Sequence, residues 1–306
     1  MLNSCPLIDN GTRFNCLRAS PSYVEPGADA FLDTRVQLTR RYILVGDSVT
    51  EQFARGLACF GGCLSPRAPH LVHGITVGNN GTKPRRYTFA MDCHQHCEGG
   101  ASDAQVCLIR PKEIYAAGVA TVCAALLPEL RRGDVLLINE GVWWRAKSRS
   151  LEVELSHLVP FTSEFVARFR AKGVRLVWRE TLAQHFRSDT GQWSNWYQRT
   201  KLSCLPVKNA SGLLERTDAV NRVMRAAGVD VLPAFNLSLT YWDAHLQRRT
   251  PYMQAKPTSD CTHFCEPSTL FARLSAALVR LTEEPGRGDR RHPAHRDRRH
   301  APAHGG

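Results

Sequence analysis

Four short runs of mainly branched apolar residues recur along the chain, each followed by a stretch of helical periodicity. This alternation restricts the fold more than any other feature. The runs cover 42–45, 134–138, 174–178 and 229–232, and each carries at most one charged residue. They are too short for helices and suit strands covered on both faces. Helices are expected at about 49–59, 112–131, 151–172 and 213–227, with a last one at about 268–281 that Glu266-Pro267-Ser268 opens. Strands and helices alternating in this way predict an α/β fold, a parallel sheet sandwiched between helices. Ligands of such sheets sit at the carboxyl ends of the strands.

Two segments interrupt the pattern. Residues 60–111 and 182–212 are rich in Gly, Asn, Cys, His and Trp without sustained periodicity, and they are read as long insertions over the carboxyl edge that wall a substrate site. No internal repeat is visible. The 306 residues suffice for one large domain. The expected organisation is a cysteine-containing extension over 1–39, one folded domain over 40–284 and a disordered basic tail over 285–306. That tail holds six Arg and two Asp, so without it the net charge falls from +12 to +8. The remaining charge speaks to association with acidic partners and not to chemistry. The tail lacks aromatic interleaving, so no nucleic-acid partner is expected.

Eleven cysteines are many for a reduced compartment, and sequons at Asn10, Asn80, Asn209 and Asn236 suit a glycosylating one. Together they favour the secretory pathway, the Golgi lumen or the exterior. The first residues carry no charged segment followed by an apolar one, and no apolar run approaches the roughly 18 residues a membrane helix needs. Targeting, and any membrane attachment, is expected from a segment outside this chain. The odd cysteine count leaves at least one thiol free or paired with another chain. Asp92-Cys-His-Gln-His-Cys97 could hold zinc, but its spacing fits paired metal knuckles poorly, so disulfides are preferred and no metal or cofactor is expected.

The first predicted strand ends in Val45-Gly46-Asp47-Ser48, immediately before a helix. A serine there lies near backbone N–H groups and the positive end of the helix dipole, where an anion is stabilised. A helix cap is the plainer role for Asp or Ser at this place. Near the other end of the chain, Asp260-Cys261-Thr262-His263 sets an acid and an imidazole three residues apart before the last helix. Serine-dependent acyl chemistry needs a base for the hydroxyl proton and an acid to orient that base. The two elements together outweigh the reading of either alone.

Five ordered blocks extend this pair. They are residues 45–52 (VGDSVTEQ), 134–144 (DVLLINEGVWW), 178–186 (WRETLAQHF) followed by Gly191, Trp193 and Cys204, 241–245 (YWDAH) and 260–267 (DCTHFCEP). In these blocks the sequence resembles the PC-esterase branch of the SGNH/GDSL superfamily, which includes the trichome-birefringence-like polysaccharide O-acetyltransferases. The resemblance runs from about 40 to 281. It departs from the plant pattern in lacking a Cys- and Trp-rich segment before the serine block and in continuing that block with Val-Thr-Glu-Gln.

The resemblance implies a three-layer α/β/α SGNH-hydrolase-like (flavodoxin-like) sheet with long loop insertions. It implies Ser48 as nucleophile, His263 as general base and then acid, and Asp260 as its orienting partner. An oxyanion would rest on the Ser48 N–H and on Asn139, for which a strand-end turn residue is an equal reading; Gly78 is a further candidate. Asp47, Trp143, Trp144 and His185 are assigned to the substrate side. His185 is read equally as a packed structural histidine, and the tryptophans are preferred as scaffold. The resemblance also implies that Cys261 and Cys265 are tied to distant cysteines, Cys204 for the former and Cys5 or Cys16 for the latter. The implied function is acetyl transfer from a donor of unspecified class to a hydroxyl of a cell-wall or secreted polysaccharide through an acyl-serine. A carbohydrate acetyl esterase with the same triad is the alternative, and a catalytically inactive glycan-binding module a more distant one.

Overall fold

The computed structural model describes residues 35–63, 65–66, 70–76, 85–109, 119–142, 150–193, 204–246, 260–265 and 268–283. In chain order the first half contains β1 (Arg41–Val45), α1 (Ser48–Phe60), β2 (Ser65–Pro66), β3 (His70–Thr76), β4 (Arg85–Gln95), β5 (Gln105–Ile109), α2 (Val119–Glu129) and β6 (Val135–Ile138). The second half contains α3 (Leu151–Pro160), a π turn (Phe161–Phe165), α4 (Val166–Ala171), β7 (Arg175–Arg179), α5 (Ser211–Ala226), β8 (Asp230–Leu232), α6 (Phe235–Ser238), β9 (His245–Leu246), β10 (Asp260–Phe264) and α7 (Thr269–Glu283). Residues 1–34 of the expected N-terminal extension and the basic tail lie outside the described residues, while Val36 and Leu38 of that extension are buried in the core.

β1 is the hub of the sheet because four of its five residues, Tyr42 to Val45, are buried, so both of its faces and both of its edges can be covered. It pairs in parallel with β5 on one side and β6 on the other, and Val45 stands between Ile109 and Ile138. β6 pairs with β7 and β7 with β8, again in parallel. The parallel strands thus run β5-β1-β6-β7-β8 across the sheet. Numbered among themselves in chain order, that is 2-1-3-4-5, the doubly wound flavodoxin-like order, with its switch point between β1 and β6. At that crevice the chain leaving β1 carries Ser48 and the chain leaving β6 carries Asn139.

Alternation along β1 divides the core into two layers. Tyr42 and Leu44 pack with Phe53 and Leu57 of α1 and with Phe271, Leu274 and Leu278 of α7. Ile43 and Val45 face the other way, toward Leu126 of α2, Phe161, Phe165 and Phe169, and Val220 and Met224 of α5. The result is the three-layer α/β/α sandwich expected from the sequence. Each fully buried Leu or Phe in these layers contributes roughly 1.5–3 kcal/mol. The helix expected over 151–172 is present but interrupted: Pro160 supplies no N–H to the ladder, and the following turn widens to π spacing.

The segment 60–111 differs from expectation. Its described residues extend the sheet instead of wandering over its edge: β4 pairs antiparallel with β5, and β2 and β3 pair antiparallel with β4. Cys93 and Cys107 are register partners across β4 and β5 and are joined by a disulfide, while Cys63 is joined to Cys97. The cysteines of the Asp92–Cys97 run are therefore covalently committed and unavailable as metal ligands. Cys123, buried under the sheet, is the free thiol among the described residues. The disulfides imply an oxidising compartment. Among the described residues no helix is long and apolar enough to cross a membrane.

Candidate active site

The site begins with the turn between β1 and α1. Asp47 caps the helix: its Oδ1 accepts from the N–H groups of Val49 and Thr50, both at 3.0 Å, while its main-chain carbonyl accepts from Glu51 at 3.0 Å. Its other oxygen, Oδ2, accepts from the Val142 N–H at 3.0 Å. Ser48 is left as the first residue of the helix with its N–H unpartnered among the described residues, as the geometry of a helix start dictates. Two glycines permit this closeness. A Cβ on Gly46 would lie 2.1 Å from the Thr50 hydroxyl, and one on Gly141, whose φ is +78°, would lie 2.3 Å from Asp47 Oδ2. No other residue fits either place.

Strand β10 comes to this turn from a separate two-stranded sheet with β9. Ser48 Oγ lies 2.6 Å from His263 Nε2, and His263 Nδ1 lies 2.7 Å from Asp260 Oδ2. Asp260 Oδ1 accepts from the N–H groups of Thr262 and His263, both at 3.1 Å. Burial alone would raise the Asp260 carboxyl. The His263 charge and the hydrogen bonds from the His263 ring and from the two N–H groups outweigh it and hold the acid at about 2. Asp260 is therefore an anion throughout the neutral range, facing an imidazole whose other nitrogen faces a hydroxyl. The His263 and Asp260 side chains are 14% and 17% accessible, so the trio opens to solvent.

Several contacts fix β10. Gln52, one turn after Ser48 on the same face of α1, donates from Nε2 to the Phe264 carbonyl at 2.6 Å and accepts from the Phe264 N–H at 3.2 Å. The helix that carries Ser48 thereby grips the strand that carries His263. Cys261 is disulfide-bonded to Cys204, and its carbonyl accepts from the His185 N–H at 3.0 Å. Cys265 is disulfide-bonded too, and its N–H donates to Ala244. Cys5 and Cys16, its expected partners, lie outside the described residues.

Behind the serine turn is a buried polar layer. Arg179, 1% exposed, donates from one terminal nitrogen to the Thr50 hydroxyl at 2.9 Å and to Asn139 Oδ1 at 2.8 Å, and that nitrogen stands 3.9 Å from Asp47 Oδ1. Burial pulls the guanidinium down to about 10 against the pull of Asp47 and Glu180. Glu180 in turn caps α6, accepting from the Ala234 and Phe235 N–H groups. Glu140, the residue after Asn139, has a buried oxygen with no hydrogen-bond partner among the described residues. Burial, helped by Glu154, raises its acid to about 8.

Three assignments are corrected by this geometry. Asn139 is fully buried, and its amide already donates to the Arg179 carbonyl at 2.9 Å and the Thr181 hydroxyl at 3.2 Å, so its side chain is not an oxyanion donor. Asp47, 1% exposed, caps and ties backbone instead of meeting substrate. His185 is fully buried, with its ring against His245 and the Leu239 carbonyl, and lines no open surface. Gly78, Trp143 and Trp144 lie outside the described residues. The sequence reading gave no role to Gln52, Arg179 or His245. The four-residue spacing of Ser48 and Gln52, which puts both on one helix face, was the available signal for the first.

No family model and no curated protein matches this sequence. Two solved structures are similar to it at a TM-score of 0.37 and 10% identity. One is the Bacillus subtilis protein YXIM, where the match covers 80% of this chain but only 55% of the other, so this chain spans about half its length. The second is a candidate acylhydrolase from Bacteroides fragilis, where 83% of this chain covers 94% of the other.

Proposed function

We propose that this protein is a serine-dependent acyl-ester enzyme of the SGNH type that moves an acetyl group onto a polysaccharide hydroxyl. The observation that carries the proposal is the continuous chain from Ser48 Oγ through His263 to Asp260, at 2.6 and 2.7 Å, at the switch point of the sheet. The glycan acceptor rests on the resemblance of the five sequence blocks to the polysaccharide O-acetyltransferases.

In the first half-reaction Ser48 Oγ attacks the acyl carbonyl carbon while His263 Nε2 takes the hydroxyl proton. The carbonyl π pair moves onto oxygen, where the Ser48 N–H at the positive end of α1 meets it; such a donor is worth about 3 kcal/mol in the transition state. Collapse breaks the ester C–O bond, His263 returns its proton to the departing oxygen, and the acetyl group remains on Ser48. In the second half-reaction His263 Nε2 takes the proton of the acceptor hydroxyl as its oxygen attacks the acyl carbon, and collapse breaks the Ser48 Oγ–C bond while His263 returns the proton to Oγ. Asp260 remains ionised and steadies the imidazolium in both halves.

Solvent access to the trio favours a second reading, in which water replaces the glycan hydroxyl and the protein is a carbohydrate acetyl esterase. Intact-mass measurement after incubation with a small acetyl ester decides between them. A Ser48-dependent 42-Da class of adduct, discharged faster by glycan oligomers than by water alone, is expected of the transferase. Equal discharge with and without glycan marks the esterase. Absence of any adduct together with absence of ester turnover would refute acyl chemistry at Ser48.

A further inference from the structure

Directly behind His263 two histidines meet in the core, and counting their protons shows what they do. His185 and His245 are 0% and 1% exposed, and His185 Nδ1 lies 2.6 Å from His245 Nε2. The outer nitrogens face carbonyl groups: His245 Nδ1 lies 2.8 Å from the main-chain oxygen of His263, and His185 Nε2 lies 3.2 Å from that of Leu239. Carbonyl oxygens only accept. If both outer nitrogens carried the single proton of a neutral ring, two lone pairs would confront each other at 2.6 Å. One contact must yield, and the longer one, to Leu239, costs least.

We propose that His245 is a positioning residue for His263, held in its Nδ1–H tautomer by His185. The proposal rests on the reading of His263 as general base. The relay runs from His185 Nδ1–H to His245 Nε2, and from His245 Nδ1–H to the His263 carbonyl. Two further features hold it. The His245 ring stacks on Phe264 at 4.2 Å between centroids, and the His185 N–H fixes the neighbouring Cys261 carbonyl. The backbone of His263 is then gripped from behind by an imidazole donor, while Gln52 grips the next residue from α1.

The titratable groups facing the pair are His263 and Asp260 of β10, whose effects oppose each other. Burial is the larger influence and pushes His185 to about 4 and His245 to about 3, so both rings are neutral at physiological pH. A neutral pair is the state in which the relay has one direction.

The test is ring-nitrogen NMR of the wild-type protein at neutral pH, joined to kinetics of variants on a small acetyl ester. The relay predicts protonated Nδ1 and bare Nε2 on both His185 and His245. A protonated Nε2 on His245 overturns the proposal without any variant. His245→Phe keeps the ring and its stacking but loses both bonds, and kcat should fall about 100-fold, the cost of a misplaced catalytic group, with KM unchanged. His245→Asn restores a donor at the Nδ1 position and should recover most of that loss, which a merely space-filling role would not allow. Wild-type kcat in His245→Phe, alongside normal ester turnover, overturns the proposal alone. Absence of turnover by the wild-type protein removes the reading of His263 on which it rests.

Discussion

Replacing Asp47 by Asn separates a buried tie from a substrate contact. The amide keeps one oxygen, which is best left on the Val49 and Thr50 N–H groups, both at 3.0 Å. Its NH2 then faces the Val142 N–H across the 3.0 Å now closed by Oδ2, donor against donor. Arg179, 1% exposed, also loses the anion 3.9 Å away. Breaking a buried ion pair costs about 3–5 kcal/mol, and Glu180, which still attracts Arg179, holds the loss toward the lower figure, a large part of the roughly 5–15 kcal/mol that stabilises a domain. At a urea slope of about 3 kcal/mol per molar, the midpoint should fall by about 1–2 M. Far-UV circular dichroism in a urea series, with KM measured on the folded fraction, is the assay. An unchanged midpoint with a raised KM would refute the structural role and return Asp47 to the substrate surface.

Three more outcomes are expected. The disulfide Cys204–Cys261 spans 57 residues, and a loop of that size corresponds to about 4 kcal/mol; the double Ala variant should lose that much in denaturant titration and lose ester turnover with it. Glu140 has a folded pKa raised to about 8, so its contribution favours folding below the unfolded carboxyl range and declines as pH rises toward 8. Melting curves of Glu140→Gln should therefore match wild type near pH 4 and exceed it by a growing margin up to about pH 8. Asp260 has the opposite sign: its pKa is depressed to about 2, so its contribution is complete above the unfolded value and disappears as pH falls toward 2, and the gap between wild type and Asp260→Asn in pH-dependent unfolding should close over that interval.

The parallel sheet was legible because its central strands are buried on both faces, and the runs ending at Val45, Ile138 and Trp178 each fall within one residue of a strand end. The proximity of Ser48, Asp260 and His263 followed from residue types set at two chain positions that a doubly wound sheet brings to one edge. What escaped were the strands β2 to β5 of the 60–111 segment, whose signal was present but diluted. Phe89, Met91 and Cys93 alternate inward along β4, yet Asp92 between them and His94 and Gln95 just beyond resemble a loop. The fate of Asn139 was illegible for a different reason. Its sequence position fits an oxyanion donor, and only the arrival of Arg179 and Thr181 from the next strand shows that the amide is already bonded. His245 stood within a recognised block, but its role depends on a proton count that needs three contacts in space.

The most direct test of the account is labelling with a fluorophosphonate, which requires an activated serine but no knowledge of the natural donor, followed by peptide mapping. The account predicts one phosphonyl adduct on the peptide that contains Ser48, lost in Ser48→Ala and strongly slowed in His263→Ala. No adduct on the folded wild-type protein, or an adduct that persists in Ser48→Ala, would contradict it.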